Sequence, residues 1–174
     1  RPDYALFAAG GRVIPLLTSP TYEPGTDAQG RPISGWRSAL AGLFGVGTSS
    51  LSNGPSVVLD ADTTLGSCWP FRGTVGQLGV RLSRPVIPAA FTVEHVSPKV
   101  AIDISSALQQ FEVWAIFDHR DLRKTTTTTY AIESTVLASL KDRVSQVRAV
   151  QLRVLSNHGH NQYTCLYRFR VHSE

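Results

Sequence analysis

The chain has no methionine, and only two cysteines in 174 residues. With no Met even at its first position, it reads as a stretch of a longer protein, with any targeting or anchoring segment outside it. No apolar run approaches the ~18–20 residues that a helix needs to cross a bilayer. The opening RPDYALFAAGG lacks the charged-then-apolar plan of a signal peptide. Charged residues are sparse at 17%, against 42% hydrophobic, a globular balance that excludes disorder. The net charge of +4 and the pI near 9.4 permit anionic partners. Yet Lys and Arg never cluster, and the nearest approach, HRDLRK (119–124), is broken by Asp121. It reads as a solvated loop, and no nucleic-acid partner is expected. No CxxC pair supports a structural zinc site. There is no GxSxG elbow and no papain-type context around Cys68, so catalysis is not expected. Cys68 and Cys165 are either two buried thiols or one disulfide, because oxidation follows the compartment and not the spacing.

What is present is a run of short strand-forming segments. YALFAAGGRVIPLLTSPTYEP opens the chain, apolar and punctuated by Gly10 and Gly11. A turn-rich loop follows (25–35). In WRSALAGLFG (36–45) the period changes: Trp36, Leu40, Leu43 and Phe44 fall on one face of a short helix, with Ser34 placed to cap its start and Gly45 its end. Flexible Gly/Ser sequence follows, so this helix either packs on the core or acts as a lid, and pattern alone favours packing. SVVLDAD, QLGVRLS (77–83), AFTVEHV (90–96), FEVWAIF (111–117), TTTTTYAIES (125–134), VRAVQLRVLSN (147–157) and CLYRFRVH (165–172) each read as a strand. TVLASLKDRVS is ambiguous, with a helical turn among its readings. Many strands, short turns and no strand–helix alternation predict an all-β, compact antiparallel β-sandwich.

Two stretches invite metal. His158 and His160 would share a face in a strand, but Asn157, Gly159 and Asn161 around them predict a tight turn. Asp60, Asp62 and Thr64 imitate positions 1, 3 and 5 of an EF-hand loop. Leu65 replaces the required glycine and Phe71 the final glutamate, so that reading fails. A loop holding an ion through backbone carbonyls stays open.

Together, DYAL…GG…VI…TS.TY, GLFG, SVVLDADTTLGSCWPFRGTVGQLGVRLSRPVIPAAFTVEHV, ISSALQQFEVWAI and LRVLSNHGHNQYTCLYRFRVH resemble a SUN domain, in the family's order and over residues 3–172. The segments 23–35 and 118–146 fit less well. The first looks like an insertion relative to many animal members, which points to a fungal or similarly divergent one. The resemblance implies the luminal C-terminal domain of a Sad1/UNC-84-type inner nuclear membrane protein, lying in the perinuclear space behind a transmembrane helix and a coiled coil. It implies a homotrimer that grips the C-terminal peptides of KASH proteins, forming the LINC bridge between nucleus and cytoskeleton. This chain, lacking that coiled coil, is expected to be trimeric or monomeric, and to meet membrane only through the upstream segment.

By position in the motif, His95, Ser106 and Tyr163 would bind the peptide's terminal carboxylate. Residues 35–55 would be the KASH lid, carrying Trp36, Leu40, Leu43 and Phe44, which replaces the packed-helix preference. Cys68 and Cys165 would form a disulfide. Residues 57–68 would wrap a monovalent cation, potassium being the ion implied, with carbonyls at Val57, Asp60, Asp62, Ser67 and Tyr167. Gly73 and Gly76 would lie near the protomer contact. Thr18 stands where some members carry a cysteine bonded to the peptide, so attachment should be noncovalent. Two other readings compete: a carbohydrate-binding β-sandwich module, which the fold class equally allows, and a metal-dependent enzyme using His158 and His160.

Overall fold

A computed structural model describes residues 1–25, 52–101, 103–116, 130–131 and 146–173. Nine strands run through them: β1 (Arg12–Val13), β2 (Trp69–Arg72), β3 (Gly76–Val86), β4 (Pro88–Glu94), β5 (Leu108–Ile116), β6 (Tyr130–Ala131), β7 (Val147–Asn157), β8 (Tyr163–Leu166) and β9 (Arg168–Ser173). β1, β3, β7, β5 and β6 form one sheet in that order, and β2–β8 and β4–β9 form two ribbons. Every pairing is antiparallel.

The large sheet follows from period-two alternation. Its register sets Leu78, Leu152 and Val113 in one row, and Val80, Val150 and Ala115 in the next. All six are buried and face the core. From the other layer, Trp69 and Phe71 of β2, Leu166 of β8, and Phe169 and Val171 of β9 close over them. Phe91 and Val93 of β4 pack at the margin. Each such side chain contributes about 1.5–3 kcal/mol on burial, so the two layers hold each other. The sandwich expected from the sequence is the fold observed.

Three local readings change. SVVLDAD is not a strand: Pro55–Leu59 is a 3-10 helix with proline in its first turn. It buries Val58 and Leu59 in succession. The opening apolar stretch is mostly turns, with 3-10 helices at Phe7–Ala9 and Pro15–Leu17 around the two-residue β1. CLYRFRVH is two strands, not one, divided at Tyr167: β8 pairs with β2, and β9 with β4. Trp114 lies on the outer face of β5, its Nε1 donating to Glu112 Oε2 at 2.8 Å and its ring covered by the Arg153 guanidinium at 4.1 Å. Trp36, Leu40, Leu43 and Phe44 lie outside the described residues, as do most of TTTTTYAIES and TVLASLKDRVS.

Two glycines have reasons inside the protomer. Gly73 turns at φ +77°, donates its N–H to the Gln162 carbonyl at 2.8 Å and accepts the Thr164 hydroxyl at 2.7 Å. A Cβ at Gly76 would run into the Phe71 ring. Gly76→Ala should therefore cost about 1–3 kcal/mol by overpacking, read as a lower urea midpoint, and Phe71→Leu in the same background should restore part of the loss.

Candidate functional site

The site grows from the loop joining β7 to β8. Asn157 ends β7 buried, and its side chain organises the loop. Its Oδ1 accepts the Gly159 N–H at 3.0 Å, while Nδ2 donates to the His160 carbonyl at 2.8 Å, the Tyr163 carbonyl at 3.2 Å and Thr164 Oγ1 at 2.9 Å. Gly159 turns at φ +115°, so His158 and His160 flank a tight turn and do not share a strand face. His160 Nδ1 accepts the N–H groups of Gln162 and Tyr163 at 3.3 and 3.2 Å. Its lone pair thus shapes the backbone. Among the described residues no group of three His, Cys, Asp or Glu side chains could hold a metal.

Backbone bonds tie this loop to the turn before β5. His158 N–H donates to the Ala107 carbonyl, His160 N–H to Ser105 and Cys165 N–H to Ser106, at 3.1, 3.2 and 2.8 Å. Ser106 and Tyr163 are thereby brought to the same edge. The turn itself rests on Asp103, which accepts the Ser105 N–H at 2.8 Å. Hydrogen bonds from the Ser105 side chain and backbone hold the Asp103 carboxyl below its ordinary value, and nearby His160 adds to this. The buried Ser106 hydroxyl makes one long bond, to the Asp103 carbonyl at 3.4 Å. That contact is weak enough to be exchanged for a better acceptor.

The Tyr163 ring packs 4.0 Å from His160 and stacks 5.1 Å from Tyr22. Burial raises its phenol above the ordinary value, helped by Asp103, Tyr22 and Tyr167 nearby. Tyr163 therefore remains a protonated donor. His95, just past β4, meets the Tyr167 ring edge-on at 4.8 Å. Its Nδ1 bonds the Val96 carbonyl at 3.0 Å, while Nε2 is buried with no hydrogen-bond partner among the described residues. The loosely held Ser106 hydroxyl and the protonated Tyr163 phenol are donors that a carboxylate would satisfy. Tyr22 was not singled out from sequence, and nothing local marks it; Asn157 was read there only as part of a tight turn, not as the side chain that closes the loop.

Cys68 and Cys165 are bonded to each other, with Cα atoms 5.6 Å apart. The bond ties the 60–68 loop to β8, beside Tyr163. In that loop, the exposed Asp62 accepts the Thr64 N–H at 3.0 Å and hydroxyl at 3.4 Å, and Thr64 and Ser67 hydroxyls bond at 2.8 Å. Asn53 Nδ2 donates to the Gly66 and Cys68 carbonyls. Arg168 Nη1 donates to the Ala61 carbonyl at 3.0 Å, which brings the loop against the start of β9. The Val57 carbonyl accepts the Asp60 N–H, and Tyr167 falls between the β8 and β9 ladders.

The Sad1 / UNC-like C-terminal family profile matches residues 48–174. Human SUN domain-containing protein 1 is 37% identical over 99% of this chain and 21% of its own length. Mouse SUN domain-containing protein 3 is 34% identical over 98% of the chain and 52% of its length, and the Drosophila melanogaster Klaroid protein 32% over 99% and 17%. The chain thus spans about half the length of these relatives or less. Among solved structures, the family 32 carbohydrate-binding module of Streptococcus pneumoniae EndoD superposes with a TM-score of 0.54 at 13% identity, over 99% of this chain and 100% of its own. Saccharomyces cerevisiae allantoicase superposes at 0.51 and 10%, over 98% and 42%. At such identities the likeness is one of fold.

The 97-position loop closed by the disulfide predicts its worth. Cys68→Ala with Cys165→Ala should lower stability by roughly 2–5 kcal/mol, measured by urea denaturation, and reductant should shift the unaltered protein in the same direction.

Proposed function

Because the chain belongs to the Sad1 / UNC-like C-terminal family, the SUN domains, we propose that it is a non-catalytic tethering module of the nuclear envelope, binding the C-terminal luminal peptide of a KASH protein in the perinuclear space. One observation supports the reading within the fold: the β7–β8 loop and the turn before β5 bring the weakly bonded Ser106 hydroxyl and the Tyr163 phenol to the same edge. The peptide's terminal carboxylate takes donors from Tyr163, Ser106 and His95. His95 stands beside them, with its Nδ1 bonded to the Val96 carbonyl. The rest of the peptide adds a strand beside the lid of residues 35–55, whose side chains Trp36, Leu40, Leu43 and Phe44 cover it. Backbone pairing contributes only about 0.5–1.5 kcal/mol per bond. A homotrimer, assembled through an upstream coiled coil, supplies the remaining grip by avidity. Gly73 and Gly76 sit near the contact between protomers. With Thr18 in place of a cysteine and both cysteines bonded, attachment is noncovalent.

The 57–68 loop holds a monovalent cation, with potassium as the expected ion, through carbonyls of Val57, Asp60, Asp62, Ser67 and Tyr167. The residues fit: the Asp62 carboxylate is occupied by Thr64, so carbonyl oxygens are the donors left to face an ion. The cation supplies a charge around which the loop closes next to Cys68.

The carbohydrate-binding alternative needs an exposed aromatic platform. Trp69 is fully buried and the Trp114 ring lies under Arg153, so neither described tryptophan offers one.

Titration with a KASH C-terminal peptide as free acid and as amide tests the pocket. The amide should bind at least about tenfold more weakly, as should Tyr163→Phe toward the acid. Equal affinity of acid and amide would sink the assignment of His95, Ser106 and Tyr163. Glycan-array binding without peptide affinity would favour the alternative. Exchanging potassium for choline should lower the melting temperature by about 2–4 °C per kcal/mol of lost cation binding, followed by calorimetry.

A further inference from the structure

Away from the peptide site, a groove of about 590 Å³ opens where β1, β3 and the start of β7 meet. Arg12, Arg81, Arg84 and Arg148 line it, and among the described residues no carboxylate does. Arg12 and Arg81 stand directly opposite in the β1–β3 register, so two like charges share one face. Such a pair costs stability unless a counter-charge sits between them. Arg148 adjoins Ala149, the cross-strand partner of Arg81 on β7. The register shift between Arg81 and Val86 turns Arg84 into the same groove, as bulges re-aim side chains.

Two of these arginines are held in place. Arg12 stacks 4.2 Å over Phe7, and its Nη1 donates to the Phe7 and Gly11 carbonyls at 2.8 and 2.6 Å. Arg84 lies 5.0 Å over the Tyr4 ring, and its Nη2 donates to the Tyr4 hydroxyl at 2.9 Å. Arg81 and Arg148 are exposed, with side chains that make no hydrogen bond or ion pair among the described residues. The contrast within the same molecule is direct. Arg168 and Arg170, also close in sequence, are neutralised by Asp3 and Glu94 at 3.0–3.8 Å.

We propose that the Arg12–Arg81–Arg84–Arg148 groove binds a multiply charged oxyanion of the phosphate type. A planar guanidinium presents two parallel N–H donors that match a phosphate edge, and an ammonium does not. Pinning two of the four against rings leaves less rotamer freedom to lose on binding. A concave site walled by three strands admits a phosphate group from several sides. A soluble phosphate and a phospholipid headgroup share this chemistry.

The protein is titrated by calorimetry with inorganic pyrophosphate at low ionic strength, and separately floated with phosphatidylcholine vesicles containing phosphatidic acid. R81Q/R148Q removes the two guanidiniums that make no hydrogen bond or ion pair among the described residues, so its melting temperature should match that of the unaltered protein. Its pyrophosphate affinity should fall about tenfold or more, and added salt should weaken what remains. Vesicle binding lost in R81Q/R148Q, without pyrophosphate binding, assigns the phosphate to a lipid headgroup and also supports the site. Equal binding by both proteins, or no binding in either arm, overturns it. Salt-sensitive self-association that R81Q/R148Q abolishes, with neither probe bound, would identify an acidic protein segment as the occupant and overturn it too. KASH-peptide affinity should be the same in both proteins, which separates this outcome from the fate of the peptide pocket.

Discussion

The passage from Leu166 through Tyr167 to Arg168 is the constraint on which this end of the molecule depends. Here one chain stops pairing with β2 and begins pairing with β4. Leu166 and Phe169, both fully buried, anchor the two sides of the step in the core. Tyr167 is left between the ladders, with its ring against His95. Upstream of the step lie Cys165 and Tyr163; downstream lie Arg168 and Arg170. Disulfide, phenol, loop contact and ion cluster thus inherit their positions from one crossing of the sandwich.

The polar groups around that step are arranged by local rules that serve a global end. Asn157 spends its whole amide on closing the loop before β8. His160 gives its lone pair to two backbone N–H groups, so a residue type suggestive of metal instead buttresses a tyrosine. Burial raises the Tyr163 phenol above its ordinary value, and His95 Nε2 is buried without a hydrogen-bond partner among the described residues. An unsatisfied buried polar atom costs free energy, so a ligand that satisfies one brings a gain.

Charge is handled in two opposite ways. Beside the N-terminal strap, Asp3 and Glu94 interlock with Arg168 and Arg170 and fasten residue 3 to the last strand, where Asp3 also accepts the Val171 N–H. On the far part of the large sheet, arginines from neighbouring strands face one another with no acid in the groove among the described residues. The modest net charge of the whole chain conceals this asymmetry, because sums do not register where compensation happens.

Sequence by itself determined the long elements. Alternation in QLGVRLS, FEVWAIF and VRAVQLRVLSN specifies which face of β3, β5 and β7 is buried, because side-chain period two leaves one consistent choice. It also marked His158–His160 as a turn, through Asn157 and Gly159. The SUN resemblance pointed to residues no pattern would select, Ser106 among them. Only the tertiary structure decided that SVVLDAD is a 3-10 helix and that Trp114 belongs to the outer face. It alone showed that CLYRFRVH serves two ribbons, that Gly76 makes room for Phe71 and that Arg12 meets Arg81. The reason is common to all of these. Periodicity reports the exposure of one segment along its own axis, whereas pairing partners, close approaches and facing charges are set by residues distant in the chain.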